Sequence, residues 1–343
     1  MNKNLILIIV VAIIVGILVE NQLQVFPSLS SPESSMIDLS QNTSLRQGQA
    51  SRWRKDFEVV EIKSPLDGSL QPAYFYKTKS DKPQPLIVSL HSWSHDYTQY
   101  DSINEFSFEK DFNFIHPNFR GVNNTKDGCC SDLVISDIDA SIDYALKNAN
   151  VDKDKIYVMG MSGGGYATLG MFMKSKHKIK KFSAWVPLVD LVQWYKETKM
   201  LRLKYTPEIL ACTNSMDGVL NAEIAKQKSP IYWKTPVNKL KYATLEINTG
   251  IYDGLGGNNV IPITHSINFY NKLLTDLKIK DSSKYVSPME KLSLLEFREP
   301  LGDFGEISGR EVMLVKQTDR IKLTLFEGGH EMLEKYAFEQ LIK

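Results

Sequence analysis

The chain has 343 residues, of which 43% are hydrophobic and 24% charged, an ordinary globular composition with enough apolar material for one large core or two modest ones. Its formal net charge of +1 gives no electrostatic reason to expect a nucleic-acid partner. No internal repeat is visible, and a single apolar run does not support a purely structural membrane protein.

That run is "LILIIVVAIIVGILV", residues 5–19, preceded by Lys3. It is short for a spanning helix, which needs about 20 residues, and long for the core of a signal peptide, about 7–15. Glu20, Asn21 and Gln22 follow it, so no small-residue cleavage site is evident. Residues 1–20 therefore read as an uncleaved signal anchor with Lys3 inside and the remainder outside the cytoplasm. The alternative is a cleaved export signal and a secreted protein. Residues 21–50 are rich in Ser, Gln and Asn and read as a tether. The folded domain is expected over 51–343, beginning near Trp53.

Residues 57–63 and 72–78 predict two early strands in an antiparallel hairpin, and 85–91 and 112–117 two buried strands. "DLVISDIDASIDYALKN" (132–148) places Ile135, Ile138, Ile142 and Ala145 on one face of an amphipathic helix. "KIYVMG" (155–160) is a buried strand, and "GGYATLGMFMK" (164–174) can follow as a helix. Strands are expected again at 181–187, 242–248 and 321–326, with helices at 262–274 and 331–342. Strands alternating with helices predict a mainly parallel, doubly wound sheet. Two pieces interrupt the alternation. Residues 188–240 look largely helical and lie where a cap over an active site would be inserted. Residues 276–320, charged and proline-containing, read as an elaborated surface segment.

The chemistry is concentrated at "KIYVMGMSGGGYATL", residues 155–169. A dinucleotide loop needs a third-position glycine where Ser162 stands, and a Walker loop needs a lysine that does not occur before Lys174. Gly160-Met161-Ser162-Gly163-Gly164 instead fits G-x-S-x-G, a serine on a sharp strand-to-helix turn. The alternative is a packing turn without chemistry. A serine hydroxyl needs a base, and the base an orienting acid, in the chain order Ser, Asp or Glu, His. His330, in "LTLFEGGHEM", immediately follows a strand end in the right order, which His91, His95, His116, His177 and His265 do not combine. Asp253 follows the 242–248 strand and is the candidate acid, with Asp303 as fallback. The oxyanion of a tetrahedral intermediate needs preorganised N–H donors. Gly163, after the nucleophile, is one. Trp93, in the loop after the 85–91 strand, is the other, with Ser92 as the weaker choice. This chemistry calls for no cofactor and no metal. Of Cys129, Cys130 and Cys212, one of the adjacent pair could bridge to Cys212, or all could be thiols, and no CxxC spacing indicates zinc.

Several of these stretches together resemble the prolyl oligopeptidase group of α/β-hydrolases. "GMSGGGYATL" is similar to its nucleophile motif and "HPNFRGVNN" to a strand-end segment with Asn118, Phe119, Arg120 and Gly121. "GIYDGLGGNNVIPITHSINFYNKL" resembles its acid loop and "FEGGHE" its histidine loop. The resemblance covers roughly residues 85–340. It implies an α/β-hydrolase fold and a serine peptidase with Ser162, Asp253 and His330 as triad and a peptide substrate. Three features depart from the group. Residues 21–50 stand where its large peptidases carry a β-propeller. The acid loop has an extra "GLGGNN". His91-Ser92-Trp93-Ser94 replaces His-Gly-Gly-Pro and is closer to the loop of carbohydrate and acyl esterases. An ester substrate is therefore the alternative, and a non-catalytic binding protein on the same scaffold a weaker one.

Overall fold

The computed structural model describes residues 48–343. The expected anchor, and the tether up to residue 47, lie outside the described residues. Residues 48–50 form a helical turn, and Gln49 Oε1 accepts from the Tyr100 N–H at 3.2 Å. Trp53 is buried and stacks on Tyr74 with ring centroids 4.2 Å apart.

Ten strands form one sheet in the order β1-β2-β4-β3-β5-β6-β7-β10-β9-β8. β1 (Glu58–Lys63) and β2 (Leu70–Tyr76) make the expected antiparallel hairpin, and β2 also runs antiparallel to β4 (Asn113–Pro117). From β4 through β3 (Gln84–Leu90), β5 (Val151–Met161), β6 (Lys181–Trp185), β7 (Thr244–Gly250) and β10 (Ile321–Phe326) every pairing is parallel. This is the order and sense of an α/β-hydrolase sheet.

The parallel strands are buried on both faces, and their alternate residues enter separate cores. Leu86, Val88 and Leu90 pack with Ile156 and Val158 on one face, while Ile87 packs with Tyr157 and Met159 on the other. The first face is covered by α2 (Asp132–Asn148), α3 (Gly163–Lys174) and α7 (Thr264–Asp276). The second is covered by α1 (Ile103–Glu109) and α9 (Glu334–Ile342). Ser131 caps α2, its hydroxyl accepting from the Val134 N–H at 3.2 Å.

Residues 188–240 hold α4 (Leu191–Met200), α5 (Tyr205–Cys212) and α6 (Ala222–Gln227). They build a third core in which Trp194, Ile209 and Ala225 pack with Trp93 and Tyr166 of the sheet domain. Residues 276–320 are more than a surface segment. Besides α8 (Pro288–Glu296) they supply β9 (Arg310–Gln317), which pairs antiparallel with β10, and β8 (Glu306–Ile307) beyond it. Charges hid this strand because its pattern is half that of a sheet edge: Val312, Met313 and Leu314 are buried, while Glu311 and Gln317 face solvent.

Candidate active site

The parallel registers end level. Leu90 faces Gly160, Met161 faces Trp185, and Phe326 faces Gly250, so the loops after β3, β5, β7 and β10 leave the same edge of the sheet. Ser162 is the first residue past β5 and the N-cap of α3. Its backbone lies at φ 58°, ψ −119°, a conformation a side-chain-bearing residue adopts only under constraint. Its N–H donates to Trp185 O at 2.9 Å, and its carbonyl accepts from the Tyr166 N–H at 2.9 Å. The turn is tight enough that a Cβ on Gly160 would lie 2.5 Å from the Gly164 carbonyl carbon. That is the collision the sequence spacing anticipates.

Asp253 and His330 meet, although 77 residues separate them. His330 Nδ1 lies 2.8 Å from Asp253 Oδ2. The other oxygen, Oδ1, accepts from the Gly254 and Ile261 N–H groups, each at 3.0 Å. The carboxylate is buried, and each oxygen is held by named donors. The chain after β10 then runs back across the sheet: Met332 and Glu334 line one small cavity, about 70 Å³, with Gly160 and Met161. Among the described residues no hydrogen bond joins Ser162 Oγ to the imidazole. Such bonds are often long before substrate binds.

Gly163 and Trp93 are brought together as closely as backbone allows. A Cβ on Gly163 would lie 2.3 Å from Trp93 N, so only glycine fits. The Ser92 N–H is already committed to Gln99 Oε1 at 2.7 Å, which leaves Trp93 the better-placed donor of that loop.

The other candidates are elsewhere or occupied. His91 stacks on Phe119 at 3.8 Å, with Ser92 O 3.0 Å and Asn118 O 2.6 Å from its ring nitrogens, and burial holds its pKa down. His116 is buried beside Asp101, and burial holds its pKa well down. His265 accepts from the Val189 N–H at 3.2 Å through Nδ1, so its Nε2–H donates to Glu197 at 3.0 Å. His177 contacts Asp139 O at 3.0 Å, on the α2 side. Asp303 is exposed, and its carboxylate accepts from the Gly305 N–H at 3.2 Å.

Two features escape the sequence, and one that it left open is decided. Asn259, inside the extra "GLGGNN", accepts from the His330 N–H at 2.9 Å, so the insertion braces the histidine loop. Cys129 pairs with Cys212, leaving Cys130 a buried thiol whose pKa burial pushes up to about 12. Glu208 accepts from Trp93 Nε1 at 2.6 Å. The odd insertion was a signal for the first. A carboxylate one turn before a half-cystine carries none for the last.

Solved structures share the fold. The uncomplexed acylaminoacyl peptidase of Pyrococcus horikoshii superposes with a TM-score of 0.54 at 16% identity, over 86% of this chain and 42% of that one. Oligopeptidase B from Leishmania major gives 0.55 at 14% identity, over 83% and 36%. In sequence, the chain is 24% identical over 164 residues to dipeptidyl aminopeptidase BIII of Pseudoxanthomonas mexicana, covering 45% of this chain and 19% of that protein. It is 25% identical over 136 residues to acylamino-acid-releasing enzyme 2 of Oryza sativa subsp. japonica, covering 36% of this chain and 18% of that protein. The matched stretches thus span less than a fifth of those relatives' own length. Residues 99–278, which contain Ser162, the 188–240 helices and Asp253 but neither Trp93 nor His330, match the model of the prolyl oligopeptidase family, and the chain belongs to that family.

Proposed function

We propose that this protein is a serine peptidase working through an acyl-enzyme. His330 donates Nδ1–H to Asp253, which leaves the Nε2 lone pair to take the Ser162 proton as Oγ attacks a substrate carbonyl. The oxyanion that forms is met by the Gly163 and Trp93 N–H groups. The imidazolium then returns its proton to the leaving amine, and water repeats the cycle on the acyl-Ser162 ester. The observation that carries the reading is the 2.8 Å Asp253–His330 contact, formed at the same sheet edge as a serine held at φ 58°.

Peptide substrates are favoured by the family and by the names of the two relatives. The His91-Ser92-Trp93-Ser94 loop favours acyl or carbohydrate esters as the second reading. A fluorophosphonate probe should label Ser162 in the wild-type protein and not in Ser162→Ala. Labelling that persists in the variant sinks the assignment. Turnover of short peptide amides against acyl esters then decides the substrate class.

Residues 1–20 as a membrane anchor, with the domain outside the cytoplasm, belong to the same proposal. The Cys129–Cys212 disulfide supports an oxidising compartment. Among the described residues no helix is long and apolar enough to cross a membrane. The anchor therefore rests on residues 5–19. Protease added outside intact cells should cut within 20–50 and release the domain, whereas protection until lysis reverses the orientation.

A further inference from the structure

We propose that Glu208 of the cap is a positioning residue for the oxyanion donor, acting through the indole of Trp93. The inference rests on the assignment of Gly163 and Trp93 above.

Trp93 is held at each end by a different part of the chain. Its carbonyl accepts from the Asn123 N–H at 3.0 Å. Asn123 Oδ1 in turn accepts from the Cys129 N–H at 2.7 Å. Cys129 is bonded to Cys212, the last residue of α5. Glu208 lies four residues earlier on that helix, one turn away and on the same face, and receives Trp93 Nε1–H at 2.6 Å. The contacts close a ring: Trp93, Asn123, Cys129, Cys212, Glu208 and Trp93 again. The indole is also buried, edge-on to Trp194 at 4.8 Å. A rotation that moved the Trp93 N–H away from Gly163 would have to swing this indole off Glu208 and Trp194 while the Asn123 bond held the carbonyl. Gly163 sets how closely the Trp93 backbone approaches, and the cap adds the constraint on how the indole, and the residue with it, can turn. An oxyanion donor matters most when charge has formed, so loosening it should lower kcat and leave KM nearly alone.

The test uses the full chain, p-nitrophenyl acetate and the fluorophosphonate probe. Glu208→Ala is expected to lower kcat and the rate of phosphonylation about tenfold, with KM within about twofold. Glu208→Gln, whose amide oxygen can accept the same N–H, should stay within about threefold of wild type. Trp93→Phe keeps a ring and loses the N–H, and should match Glu208→Ala. Because the two act through one bond, the double variant should be no worse than the poorer single one. Wild-type kcat in Glu208→Ala, a loss confined to KM, equal losses in Ala and Gln, or losses that multiply in the double variant would each overturn the proposal. If Glu208→Ala does not fold, Trp93→Phe and Glu208→Gln decide it by the same criteria. Failure of the probe to label Ser162 in the wild-type protein would instead overturn the serine-hydrolase reading, and this inference with it.

Discussion

The two sides of the candidate site are held in place by different kinds of force. On the Ser162 side the constraint is mostly backbone: a strained φ, glycines with no room for a Cβ, and a carboxylate gripped by the Gly254 and Ile261 N–H groups. On the Trp93 side the constraint is made of side chains from a separate layer: Glu208, Trp194 and a disulfide to α5. Backbone constraints are stiff, because main-chain atoms cannot yield by changing rotamer, whether the neighbour is near in sequence, as Gly164 is to Gly160, or distant, as Trp93 is to Gly163. Side-chain constraints reach across 115 residues and give way one at a time. The first kind should fail abruptly on substitution, and the second by degrees.

The sharpest way to break the backbone-held side is Asp253→Asn. Oδ1 already accepts two backbone N–H groups. An asparagine would keep its oxygen there and turn its NH₂ towards His330. Nδ1 would then have to accept, the proton would move to Nε2, and the ring could not take the Ser162 proton. Turnover should fall about 10⁴-fold with the fold intact, read from kcat and from the unfolding midpoint. A near-normal rate would mean that the acid lies elsewhere.

Next in size is Gly163→Ala. The N–H donor remains, but a methyl group 2.3 Å from Trp93 N must push the loops apart. A kcat loss on the order of 10²–10³ is expected, comparable to removing a donor. If the loss were only a few-fold, the Ser162 side would be softer than argued and the contrast between the two sides would collapse.

The side-chain-held side is broken by replacing Cys129 and Cys212 together with serine. The closed loop is long, with a separation of 83 residues, so a stability loss of about 2–4 kcal/mol is expected by denaturant titration. The drop in kcat should be only several-fold, because Glu208 still holds the indole. A loss as large as that of Gly163→Ala would make the disulfide, and not Glu208, the dominant brace.

The smallest effect is on stability alone. Asp101 lies beneath both loops, in the cavity shared by Ser92, Gln99, Gly160 and Glu334. Burial pushes its pKa up to about 6, against the opposing hydrogen bonds from Ser89 and Ile103. A folded-state pKa raised above the unfolded value of about 3.9 contributes stability that is present below pH 4 and lost as pH rises through 6. The wild-type advantage over Asp101→Asn in thermal unfolding should therefore shrink between about pH 4 and pH 6. A difference that stays flat across that window would contradict the assignment of the titration to Asp101.

Much of this was legible before any coordinates. The helix expected at 132–148 is α2 residue for residue, because apolar spacing is a local signal. The strand that leads to Ser162 was readable from the apolar, β-branched and aromatic run Ile156–Met159, and those before Asp253 and His330 from Leu245 and Ile247 and from Ile321, Leu323 and Leu325 at alternate positions. β9 was not readable, because a strand near a sheet edge alternates imperfectly and carries charge.

Sequence by itself determined where a sharp turn must occur and which residue types stand at the ends of the parallel strands. Chain order and short-range sterics are enough for that. Only the tertiary structure decided which of these groups touch. It placed Asn259 on the His330 N–H, chose Cys129 over Cys130 for the bridge to Cys212, and set Glu208 on the Trp93 indole. Those contacts join residues 71 to 115 apart in the chain, and no local propensity encodes them. They exist because the sheet levels its strand ends and the cap packs its aromatic core over that edge, which brings distant side chains within hydrogen-bonding distance.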